Sequence, residues 1–128
     1  ALRLEQFISD GSRYALLDLD AASVGDPLFD VTEFIASLQY LEFTHGLTPG
    51  NIEQAKARFL ETYAELVPWQ LDELRMSWYA VAFTLTKMYD TVKNVERTAL
   101  SRFNQTFGLL DQWVEKLREE ANSVTIAA

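Results

Sequence analysis

Four aspartates stand close together in one stretch of the chain: Asp18 and Asp20 in Leu17-Asp18-Leu19-Asp20, then Asp26 and Asp30 in Gly25-Asp26-Pro27-Leu28-Phe29-Asp30. Carboxylate oxygens gathered beside a glycine-containing loop are what a hard divalent cation such as Mg²⁺ needs, and Mg²⁺ in turn carries phosphates. The same residues have a plainer reading. Asp26 and Asp30 are helix caps, and Asp20 is a solvated turn residue; on spacing alone this reading leads. Other chemistries have little to stand on. With no cysteine there is no thiolate nucleophile, disulfide or Cys-held zinc. The one histidine, His45, precedes Gly46, where a cation suits the end of a helix better than it suits catalysis. Ser9-Asp10-Gly11-Ser12 holds a single glycine with no helix after it, so it is a turn rather than a phosphate loop. Trp69, Trp78 and Tyr79 have rings that stack on ligands, but packing in a core or interface is their commoner use.

The elements that must position those aspartates follow from periodicity. Residues 4–9 and 13–19 are apolar-rich and flank an Asp-Gly turn, which predicts a small antiparallel hairpin. Strand alternation then sets Asp18 and Asp20 on one side of its second arm. A loop follows, and Pro27 suits the first turn of a helix capped by Asp26. Val31, Phe34, Ile35, Leu38 and Leu41 recur at three and four, Asp30 and Glu33 have capping-box spacing, and Gly46 is expected to end that first helix. A second helix runs from about Ile52 to Leu66. A third opens at Pro68 and is apolar nearly all round, which places it in the middle of the fold. The last runs from Val95 through Leu117 into the charged, solvated Lys116-Leu117-Arg118-Glu119-Glu120, with 121–128 as a frayed tail. The expected class is mainly α, with a short amino-terminal β-hairpin and about four helices in one domain spanning 1–128.

From Tyr14 to Leu38 the chain resembles the aminoglycoside phosphotransferase and choline kinase-like superfamily. That family carries an Ile/Leu-Asp-Phe/Trp-Asp/Gly metal motif, a short loop, then Gly-Asp-Pro, two residues and Asp. Leu17-Asp18-Leu19-Asp20 and Gly25-Asp26-Pro27-Leu28-Phe29-Asp30 stand in those places. The resemblance implies the carboxy-terminal lobe of a protein kinase-like fold, and transfer of a γ-phosphoryl from ATP or GTP to a hydroxyl of a small polar substrate, assisted by Mg²⁺. Asp18 would hold the metal bridging the nucleotide's phosphates, and Gln6, at the family's Asn position, would be a neutral oxygen ligand for a second ion of the nucleotide site. Asp20 would be a further metal or substrate contact, while Gly25, Asp26, Pro27 and Asp30 would be structural, holding the catalytic loop against the helix. In the same register Ala1 occupies the place of the catalytic Asp, and nothing corresponds to the amino-terminal lobe. The chain therefore reads as a piece of a larger protein, inactive alone and not expected to hold Mg²⁺ or nucleotide tightly, whose missing partner is that lobe. The alternatives are a non-catalytic kinase-derived module and a plain helical interaction domain. Self-association through the free edge of the hairpin is expected.

Composition bounds these readings. The 128 residues make about one domain, and 48% hydrophobic side chains are enough for one core. A net charge of −8 repels nucleic-acid phosphate and anionic lipid, so neither is an expected partner. No apolar run of membrane-spanning length and no signal stretch is visible, so the chain reads as cytoplasmic.

Overall fold

The computed structural model describes residues 2–20, 22–93 and 99–126. A 3₁₀ turn over Leu4–Gln6 leads into strands β1 (Phe7–Ser9) and β2 (Tyr14–Leu16), and helices α1 (Pro27–His45), α2 (Pro49–Leu66), α3 (Glu73–Lys93) and α4 (Ala99–Ile126) follow. The architecture is mainly helical with one two-stranded antiparallel hairpin, as the periodicity predicts. No helix among the described residues is long and apolar enough to cross a membrane.

The hairpin pairs Phe7 with Leu16, Ile8 with Ala15 and Ser9 with Tyr14. Its arms are shorter than expected, because Leu4–Gln6 coils before the first arm and the backbone turns aside after Leu17. The tip is made by Asp10. Its carboxylate accepts hydrogen bonds from the backbone of Ser12 (3.0 Å) and Arg13 (2.8 Å) and from both of their side chains, while Gly11 takes a φ of 91°. Those bonds, the Ser12 N–H first, hold the Asp10 carboxyl far below the usual carboxylate range. Phe7 meets Phe34 edge-on, 6.1 Å between ring centroids, and so seats the hairpin on α1.

Helix α1 begins as its sequence dictates: Asp26 Oδ1 accepts from Leu28 N (3.0 Å), Pro27 fills the first turn, and Gly46 closes the other end with a φ of 64°. Asp30 lies inside the first turn, so the capping-box spacing with Glu33 is not used. The position of α1 corrects the sequence reading, because α1 and not α3 sits in the middle. Leu28, Val31, Phe34, Ile35, Ala36, Leu38 and Leu41 are all buried, meeting Ile52 of α2, Met76 and Ala80 of α3, and Leu109 and Trp113 of α4. Between Val31 and Leu41 the only charge is Glu33, whereas α3 leaves Trp78, Leu85, Tyr89 and Val92 in solvent.

The remaining boundaries also shift. Thr48 caps α2, accepting from Asn51 N (3.4 Å) with Pro49 in the first turn, so that helix starts before Ile52. Helix α3 starts at Glu73 and not at Pro68, because Asp72 supplies the cap by accepting from Arg75 N (3.0 Å). Val95 lies outside the described residues. Helix α4 runs on to Ile126, where a frayed tail was expected, since neither Gly nor Pro follows Gly108 to break it; residues 127–128 lie outside the described residues.

Candidate functional site

A cleft of about 620 Å³ opens between the base of the hairpin, the loop after it and the first turn of α1. It gathers Gln6, Asp18, Gly25, Asp26, Pro27 and Asp30 from three separate elements. Asp20 is not among the residues that line it; it sits in a turn whose Ala22 N–H bonds the Leu19 carbonyl at 2.9 Å. Ala1, the position of the expected catalytic Asp, lies outside the described residues. A smaller cavity of about 370 Å³ at the other end of α1, lined by Gln39, Glu42 and Gln112 among others, holds none of these residues.

Gln6 is the anchor of this cleft. It is 8% exposed, and its main-chain carbonyl accepts from Leu17 N at 2.8 Å, which fixes the hairpin base. The side-chain Oε1 accepts from Arg3 N (2.8 Å), and Nε2 donates to Asp18 Oδ2 (3.4 Å). Asp18 has a φ of 59° and is, among the described residues, the one non-glycine in the left-handed region. Aspartate tolerates that conformation better than most residues do. Strand alternation therefore ends before Asp18: the left-handed turn, and not the pleat, places its carboxylate beside Gln6, and Asp18 and Asp20 do not share a strand face.

Asp26 is occupied by structure. Besides capping α1, its Oδ2 accepts from the Tyr79 hydroxyl (2.9 Å) and from Arg75 Nη1 (3.1 Å). The Leu28 N–H, then Tyr79 and Arg75, draw the Asp26 carboxyl below its ordinary value, and the same contact pushes the Tyr79 hydroxyl up. Its side-chain bonds thus tie α3 to the start of α1, whereas the resemblance has Asp26 holding the segment before the hairpin. One turn past Asp30, Glu33 is partly buried and its Oε2 has no hydrogen bond; loss of water pushes that carboxyl up.

Three neighbours of the candidate residues are missed by the sequence reading. Arg75 and Tyr79 reach Asp26 from 49 and 53 residues away, and no local signal announces that α3 docks there. Arg3, read only as an intervening residue, is the one cationic side chain lining the cleft among the described residues, and its Nε is buried with no hydrogen bond.

No family model, curated protein or solved structure matches this chain.

Among the described residues no three of His, Cys, Asp and Glu come together as a cage for a metal. Mg²⁺ asks for less when phosphates and water complete its shell, since one or two carboxylates then suffice. The Asp18 carboxylate is a hard oxygen ligand of that kind; Gln6 turns its Nε2 donor toward it and its Oε1 toward Arg3 N, so Gln6 joins an oxygen set only if its amide turns over. A single carboxylate of this kind fits a cation that arrives with its own phosphates and water.

Proposed function

We propose that the cleft under the hairpin receives a Mg²⁺-bound nucleoside triphosphate, and that the chain is the carboxy-terminal part of a small-molecule phosphotransferase similar to the aminoglycoside phosphotransferase and choline kinase-like proteins. The observation that carries this is the meeting of Gln6 and Asp18, twelve residues apart, at 3.4 Å in a cleft whose other wall is Gly25-Asp26-Pro27 and Asp30. Asp18 would hold the cation, and Gln6 would join it through Oε1 once its amide turned over. Arg3, with its unpaired Nε, would face the phosphates. Gly25, Asp26, Pro27 and Asp30 would hold the wall in place. Asp20, away from the cleft, has no first claim on the metal. Phosphoryl transfer relies on positioning and charge neutralisation, so one well-held cation matters more here than any nucleophile of the protein. The acceptor would be a small polar molecule with a hydroxyl group.

A methyl group at Ala1 cannot accept a proton from that hydroxyl, so the chain alone is not expected to turn over, and without the amino-terminal lobe it would hold MgATP only weakly. Leu4, Phe7, Ile8 and Leu16 are exposed on the hairpin and the turn before it, and the amino-terminal lobe of such an enzyme would cover some of that apolar area. A non-catalytic interaction module is the second reading, and the exposed apolar side of α3 is the observation that favours it.

Amide chemical shifts test the first reading. Titration with MgATP should move the signals of residues 6 and 16–26, and Asp18→Asn should weaken that response at least about tenfold, as expected for loss of a charged metal ligand. Indifference to MgATP, even with the amino-terminal lobe of such a kinase supplied, removes the phosphotransferase reading and leaves the interaction module.

A further inference from the structure

Helix α4 carries a glycine that its packing does not ask for. Gly108 lies in the helix interior, and a Cβ placed on it would meet nothing within 4 Å. Glycine weakens such a position relative to alanine, about fivefold in the equilibrium constant, and here no close contact offsets that cost. What the missing side chain leaves open is the cavity of about 370 Å³ between the end of α1, the start of α2 and the middle of α4, which Gly108 lines. That size takes a small molecule.

The chemistry of this cavity is one-sided. Four of the side chains that line it are carboxamides, Gln39 and Gln112 among them, two are the carboxylates of Glu42 and Glu53, and among the described residues no cation lines it. Lys56 neutralises Glu53 at 2.7 Å. Glu42, by contrast, is only partly exposed and makes no hydrogen bond or ion pair among the described residues. Gln39 keeps its Oε1 buried without a donor. Beside these unmet acceptors lie the apolar side chains of Phe43, Ile52 and Leu109.

We propose that the cavity binds a small organic ammonium ion, with its charged nitrogen at Glu42 and its carbon part on Phe43, Ile52 and Leu109. Charge selects the class. A partly buried carboxylate with no partner, in a protein of net charge −8, favours a cation over an anion or a neutral molecule. A bare metal ion is the poorer occupant, because no three of His, Cys, Asp and Glu come together among the described residues and the apolar side chains offer it no oxygen. An ammonium with a carbon body uses both halves of the lining: its N–H groups meet Glu42 and the carboxamide oxygens around it, its apolar part leaves water, and the Phe43 ring attracts a cation partly stripped of its hydration. Twelve residues, about 18 Å of helix, separate Glu42 from Asp30 in the cleft, so a molecule held here is not one that is phosphorylated there. This site does not depend on the phosphotransferase reading.

Amide chemical shifts of the 128-residue chain test it, with phenethylammonium as the probe and phenylethanol, its uncharged counterpart, as the control. Phenethylammonium at millimolar concentration should shift the signals of residues 39–43, 52–53 and 104–112 to saturation and leave residues 6 and 16–26 in place. Phenylethanol should bind at least about tenfold more weakly, and Glu42→Gln should weaken the ammonium by a similar factor, the effect of losing one charge-assisted contact. Gly108→Leu should abolish the response in a chain that circular dichroism shows to be folded, since the added Cβ meets no other atom and leucine is the better helix former. No saturation by phenethylammonium up to tens of millimolar, equal binding of phenylethanol, unchanged binding in Glu42→Gln, or binding kept in a folded Gly108→Leu overturns the proposal.

Discussion

Between Phe7 and Leu16 every strand residue is exposed, whereas Leu28, Val31, Ile35 and Ala36 of α1 keep 2% or less of their surface. The two regions adjoin and share one aromatic contact, yet different forces hold them. Removal of apolar surface from water holds the helices around α1. The hairpin and its loop are shaped by short polar bonds: Asp10 closing the tip, Gln6 closing the base, Asp26 fixing the junction with α1. The residues of the candidate cleft all come from the second kind of structure or from its border. A site built there has side chains placed by hydrogen bonds and backbone conformation, at little cost to the core if they change.

The largest expected effect tests the burial side of this contrast. Ile35, 2% exposed, packs with Ala80, Leu109 and Trp113, so Ile35→Ala removes buried methyl groups from the meeting point of three helices. A loss of about 2–5 kcal/mol is expected in urea unfolding. Ile8→Ala in the hairpin, half exposed, should cost within about 0.5 kcal/mol. Comparable losses from the two substitutions would mean that the hairpin belongs to the same cooperative core.

The same contrast explains how much of the molecule could be read from its residues. Helix α1 was legible to the residue, because Asp26, Pro27 and Gly46 are local signals and the apolar spacing between them is unbroken. The number of elements was legible for the same reason. Which helix is central was not, because an apolar side chain on α3 reads alike whether it faces Leu109 or the solvent. In the cleft, the grouping of Asp18, Asp26 and Asp30 was legible as a motif, since a short loop keeps them close, and the hairpin brings Gln6 to Asp18. What surrounds them was not. Arg75 and Tyr79 reach Asp26 only through the docking of two helices, and the left-handed turn at Asp18 depends on a single dihedral angle that alternation overlooks.

A smaller effect is expected at the border between the regions. Asp26→Ala removes the cap of α1 and leaves the Tyr79 hydroxyl without its acceptor, a loss of about 1–2 kcal/mol. The pH dependence sharpens the point. Asp26 is held below its usual 3.8, so the folded state favours the ionised form. Its contribution is complete above the unfolded value and is lost as pH falls through the lowered one. Glu33 has the opposite sign. Burial raises it from 4.5, so its contribution is complete below that value and is lost as pH rises through the raised one. Urea midpoints measured at pH 7, 4 and 3 should fall on the acid side in the unmodified chain and fall less in Asp26→Asn. An equal acid loss in both would show that the tie between α3 and α1 does not depend on the charge of Asp26.

The smallest effect has the reverse sign and bears most directly on the cleft. Asp18 stands at a φ of 59° with one side-chain hydrogen bond of 3.4 Å, so little in the fold compensates its backbone conformation. Glycine adopts that conformation freely, and even after its greater loss of chain entropy Asp18→Gly should be about 0.5 kcal/mol more stable. If the carboxylate grips a cation, the same substitution should abolish the MgATP response in the amide shifts of residues 6 and 16–26. Gain of stability together with loss of binding is the signature of a side chain kept for function against its own local preference. A less stable Asp18→Gly would instead mark the Asp18–Gln6 contact as part of what closes the base of the hairpin, and the carboxylate would then have a structural reason to be there.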